Sequence, residues 1–116
     1  MPEALRLAGA DVRAFDDLFP QDTPDVEWLA EVGRQGWVVL TRDHRIRYNK
    51  VERESLFAAS VQCFTLTSSA VTGEETGAIF VSALRRMKAL CRRSRGRAFI
   101  AKVSRGPDVA IVTTAP

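Results

Sequence analysis

Apolar residues in this chain recur with two periods, and the alternation between them predicts its elements. Residues 2–8 read as a short helix, with Pro2 suited to a first turn and Gly9 to a stop. Residues 12–15 read as a short strand, and 16–22 as an acidic loop broken by Pro20. Thr23-Pro24-Asp25 predicts a helix start, with Thr23 as the cap. Val26, Leu29, Ala30 and Gly33 then follow helical spacing and predict one buried face, ended at Gly36. The run 37–40, Trp-Val-Val-Leu, predicts a strand buried on both faces. A helix is expected over 51–59, with Val51, Ser55, Ala58 and Ala59 on one side, and a strand over 61–66. Thr72 and Glu75 have capping-box spacing before a long helix. Its positions Phe80, Ala83, Leu84, Met87, Leu90 and Cys91 share a face opposite Arg85, Arg86, Lys88, Arg92 and Arg93. Strands over 97–103 and 109–113 flank Gly106-Pro107-Asp108, a hairpin-like turn. The order α-β-α-β-α-β-α-β-β implies an α/β fold in three layers. Its sheet is mainly parallel, with helices on both faces and a β-hairpin at the C-terminal end.

Length and charge sharpen this picture. The 116 residues suit a single domain spanning 1–116, and 46% hydrophobic with 27% charged residues is globular composition. The net charge of +3 hides a split. Residues 1–40 carry eight acids and three bases, whereas 41–116 carry fourteen bases and six acids. The stretch 84–105 holds nine bases and no acid. Such a split favours an anionic partner, although a solvated basic helix face gives the same pattern. Cys63 and Cys91 belong to no Cys/His cluster, which argues against structural zinc and suits a reduced, cytoplasmic setting. No signal-like segment or membrane-length apolar run occurs, so no membrane association is expected.

The sharpest candidate for chemistry is Asp43, just past the strand 37–41, because open α/β sheets build sites outside the carboxyl ends of their strands. Asp25 opens the preceding helix, where an acid also simply suits the helix dipole. Together the two carboxylates could hold Mg²⁺ or Mn²⁺, hard ions that take oxygen ligands. Arg42, His44, Arg45, Arg47 and Lys50 follow at once, so acids for a metal lie beside bases for phosphate. His44, the sole histidine, reads as a phosphate contact before a general base, and Tyr48 is the candidate for base stacking. Walker A, dinucleotide-binding and Gly-x-Ser-x-Gly motifs are absent.

Three segments carry a resemblance to a known family: Asp22-Thr23-Pro24-Asp25-Val26-Glu27-Trp28-Leu29, Gly36-Trp37-Val38-Val39-Leu40-Thr41-Arg42-Asp43, and His44-Arg45-Ile46-Arg47 with Glu52-Arg53 downstream. They resemble the PIN-like (PilT N-terminal) domain, in its small toxin-like branch related to virulence-associated protein C. Residues 99–105, Phe-Ile-Ala-Lys-Val-Ser-Arg, are similar to the end of that branch. The resemblance implies a three-layer PIN-like sandwich and a Mg²⁺- or Mn²⁺-dependent endoribonuclease of a toxin–antitoxin pair. Asp25 and Asp43 would be metal-binding acids, Thr41 would help orient the site, and Glu27 and Glu52 are secondary metal candidates. Arg42, His44, Arg45, Arg47, Tyr48, Lys50 and Arg53 would face RNA. The implied partners are RNA, a cognate antitoxin and a second copy of the chain as a homodimer.

The chain departs from the family in starting within what would be its first helix, without the first strand and that strand's acid. A truncated or misassigned start is the expectation, checked by translating the DNA upstream of Met1. The competing readings are a degenerate PIN-like module that binds RNA or a protein without cleaving, and an α/β domain whose basic helix docks on an acidic partner such as an antitoxin.

Overall fold

The structure, a computed structural model, describes residues 18–20, 22–41, 50–66, 73–104 and 108–114, apart from the side chains of Asp25, Thr113 and Thr114. The elements predicted over 2–8 and 12–15, the Thr72 cap and the hairpin tip at 105–107 lie outside these residues. In order, the described elements are α1 (Asp25–Gln35), β1 (Val38–Thr41), α2 (Lys50–Ala58), β2 (Gln62–Leu66), α3 (Gly73–Arg93), β3 (Phe99–Ser104) and β4 (Asp108–Thr114). The strands form one sheet in the order β1-β2-β3-β4. The pairs β1–β2 and β2–β3 are parallel, and β4 returns antiparallel to β3 as the expected hairpin.

Two apolar layers flank the sheet. On one face Phe64 and Leu66 of β2 and Phe99, Ala101 and Val103 of β3 pack against Phe80, Ala83, Met87 and Leu90 of α3. The Phe64 and Phe99 rings meet edge to face at 5.4 Å, the favoured geometry for their quadrupoles. On the other face Cys63 and Ile100 pack against Leu29 and Val32 of α1 and Leu56 of α2. The long basic helix buries the face its spacing predicts, and Arg85, Arg86, Lys88, Arg92 and Arg93 are exposed.

Four local expectations are corrected. Thr23 does not cap α1: its hydroxyl donates to the Pro20 carbonyl at 2.7 Å, and Pro24 takes the N-cap position without a side-chain bond. The Pro24 carbonyl instead accepts from the Glu27 and Trp28 amides. The buried face of α1 is Leu29 and Val32, while Val26 is 60% exposed and Ala30 is exposed. In α2 the buried residue is Leu56, and Val51 is 67% exposed. Finally, β1 is not buried on both faces, because it ends the described sheet; Val38 is exposed and Val39 and Leu40 are half-buried.

Tight connections fix the direction of the two small helices. Gly36 ends α1 in the left-handed region, φ 72°, as predicted. Its amide bonds the Gly33 carbonyl and the Trp37 amide bonds the Val32 carbonyl, a Schellman ending. After α2, Ser60 has φ 58° and the Val61 amide reaches back to the Leu56 carbonyl. Each helix thus runs antiparallel to the strand that follows it, and both helix starts lie toward the carboxyl ends of β1 and β2.

Candidate functional site at the carboxyl edge of the sheet

Side chains on neighbouring parallel strands in register share a face. On the α1/α2 face the row Val39, Cys63 and Ile100 is apolar and belongs to the core. The next row toward the carboxyl ends is Thr41, Thr65 and Lys102. The sheet therefore changes from apolar to polar one row before its edge, on the face that carries the starts of α1 and α2. Thr41 is half-buried and hydrogen-bonded or otherwise engaged, Thr65 is fully buried, and Lys102 is exposed.

Thr65 was not anticipated from the sequence, where it reads as one residue of an apolar strand. Its Oγ1 is buried with no hydrogen-bond partner among the described residues. A buried hydroxyl in that state costs about 1–3 kcal/mol. Thr65→Val is therefore expected to raise the unfolding free energy by about 1 kcal/mol in urea titration. A fall in stability instead would show that the hydroxyl is already satisfied in the folded protein.

The backbone of Asp25 opens α1, which spans about 16 Å for its eleven residues, against about 13 Å for the four residues of β1. The start of α1 and Thr41 are consequently at similar height at the carboxyl end. Glu27 is exposed in the first turn of α1. Lys50 opens α2 and lies 3.9 Å from Glu54 in an exposed pair of little energetic weight. Glu52 and Arg53 follow, both half-buried and both engaged. Arg42, Asp43, His44, Arg45, Arg47 and Tyr48 lie outside the described residues, between Thr41 and Lys50.

Among the described residues no three His, Cys, Asp or Glu side chains gather closely enough to hold a metal ion. The groups near the edge that could donate to a metal, Thr41 with the first-turn Glu27 and Glu52, offer hydroxyl and carboxylate oxygens, which are hard ligands. The sulfur one row below does not alter that character. Burial pushes the Cys63 thiol up to about 12, so it stays protonated and is a poor ligand for a thiophilic metal. Cys63 and Cys91 are both free. Among the described residues no helix is long and apolar enough to cross a membrane.

The comparisons with known proteins agree with this architecture. A sequence profile described as a PIN-like domain matches residues 1–68. Over 120 residues the chain is 25% identical to the protein named Putative ribonuclease VapC45 of Mycobacterium tuberculosis, covering 100% of this chain and 78% of that relative. No solved structure matches the chain at a significant level. With the family profile covering more than half of the sequence, and a mostly parallel sheet that changes from apolar to polar at its carboxyl edge, the chain belongs to the PIN-like domain family.

Proposed function

We propose that the chain is a divalent-metal-dependent endoribonuclease of the toxin–antitoxin type, acting at the carboxyl edge of the sheet. The observation that carries this reading is the polar row Thr41–Thr65–Lys102 toward the carboxyl ends of β1, β2 and β3; the length of α1 against that of β1 puts the start of the helix near it. The ribonuclease name of the Mycobacterium tuberculosis relative supports RNA as the substrate; a cognate antitoxin as the partner is what the resemblance to the toxin-like branch implies.

In this reading Asp25 and Asp43 hold Mg²⁺ or Mn²⁺, with Glu27 and Glu52 as further carboxylates of the same edge. When bound, such an ion activates water and stabilises charge on a phosphoryl oxygen. The chain's own groups do the rest. Thr41, at the last position of β1, fixes the approach of the segment bearing Asp43. Arg42, His44, Arg45, Arg47, Lys50 and Arg53 hold the RNA backbone by charge, and Tyr48 offers a face for a base.

The test is metal removal. Cleavage of a labelled RNA is expected to stop in excess EDTA and to return with Mg²⁺ or Mn²⁺. Cleavage that persists in EDTA would rule the reading out. Salt-sensitive RNA binding without cleavage at any metal concentration would instead establish a degenerate binding module.

A further inference from the structure

We propose that the turn closing α3 is a separate binding site for nucleic-acid phosphates, remote from the carboxyl edge. The turn holds Arg92, Arg93, Arg95 and Arg97, four arginines within six residues, and all four are exposed. None of the four guanidinium groups has an ion pair or hydrogen bond with another described residue. Two bases at a helix C-terminus are explained by the macrodipole. That effect fades beyond the last turn and leaves Arg95 and Arg97 unaccounted for.

The backbone that carries these arginines is held in place. The Ser94 amide donates to the Leu90 carbonyl at 3.0 Å and the Arg97 amide to the Ser94 carbonyl at 2.9 Å. Gly96 supplies the left-handed conformation, φ 79°, that the turn requires. The Gln62 amide nitrogen, from the first residue of β2, donates to the Ser94 carbonyl at 2.9 Å and to the Arg97 carbonyl at 3.2 Å. One side chain from the sheet therefore clamps both ends of the turn. Less ordering entropy is lost when an anion binds to a backbone already fixed in this way.

The chemistry of the patch selects its ligand. Protein interfaces carry an apolar or aromatic centre within a polar rim. Residues 92–97 contain only Arg, Ser and Gly, and none of the exposed large apolar side chains belongs to the turn. A patch of guanidinium forks without an apolar centre suits phosphate oxygens, which Arg contacts in bidentate fashion. Its position adds a constraint on length. The 21 residues of α3 span about 32 Å and end beside the first residues of β2 and β3. From Gln62 beside the turn, the five residues of β2 reach the carboxyl edge in about 16 Å, so an RNA that touches both must span at least that distance.

The choice of RNA as the anion rests on the ribonuclease reading, so the test separates binding from cleavage. A fluorescein-labelled RNA hairpin of that reach is titrated with the full chain in EDTA, and anisotropy is followed over a range of salt. With Arg92, Arg93, Arg95 and Arg97 all changed to Gln, Kd is expected to rise at least ~10-fold, and the salt slope to fall by about 2 to 4. With the same four changed to Lys, the slope should be kept, since the charges remain. Unchanged RNA affinity and slope in the Gln variant would overturn the site, as would equal loss in the Lys variant. Loss of binding to a Glu-rich peptide with RNA binding intact would overturn it in favour of a protein partner. Turn-dependent RNA binding without cleavage in Mg²⁺ or Mn²⁺ would sustain this site while defeating the ribonuclease reading.

Discussion

Asp43→Asn is expected to reduce RNA cleavage by about 100-fold or more while leaving the fold unchanged. The substitution keeps the size of the side chain and removes its charge, so it tests the anion alone. A carboxylate that holds a hard divalent ion contributes through that ion's stabilisation of the transition state, and a loss of about 3 kcal/mol there corresponds to about 100-fold in rate. Asp25→Asn should behave alike, because both acids are proposed to serve one ion. The double variant should then fall little below either single one, since residues acting as a unit are not additive. Single-turnover cleavage in Mn²⁺, with circular dichroism as the fold control, reads all three. Near-normal rates in either single variant would remove that acid from the site.

Gly33→Ala is expected to destabilise the protein by about 3 kcal/mol, the largest effect anticipated for a single methyl group here. In an ordinary exposed helix this change would stabilise by about 1 kcal/mol, because glycine is a poor helix former. The sign reverses at this position because a Cβ on Gly33 would collide with the backbone carbonyl oxygen of Ala59. A carbonyl in the tight ending of α2 cannot swing away as a side-chain tip can. The two helices would have to separate, opening the layer formed by Leu29, Val32 and Leu56. Urea unfolding measures the change, and a stability equal to or above the parent's would show that α1 and α2 do not pack this closely.

Gly33 also shows how far the sequence can be read. Helical spacing places it on the buried side of α1, but periodicity carries no information about how closely a neighbouring helix approaches. The same spacing assigns Val26 to the buried face of α1, yet Val26 is exposed in the first turn of that helix. Leu56 does not stand out in the sequence because the apolar positions of α2 are few and lie beside Lys, Glu and Arg. The apolar stripe of the long helix α3 is legible, since it runs over several turns against one continuous face. Among the candidate site residues, Thr41 enters through the family resemblance alone, while the start of α1 is legible because Pro24 suits a helix start. Thr65 was not legible, because burial and register are properties of three strands together. Its one visible signal is a hydroxyl at the row where Thr41 also stands.

The buried thiol of Cys63 has a consequence for how this sheet opens. It lies at zero exposure in the second of three parallel strands, and burial holds it in the protonated form. Only the thiolate reacts with disulfides and alkylating reagents. Modification at Cys63 therefore requires that the layer of α1 and α2 first lift from the sheet, whereas Cys91, half-buried on α3, does not depend on that event. The chain thus carries its own clock for the separation of one helical layer, built from a residue whose chemistry is silent while the layers stay together.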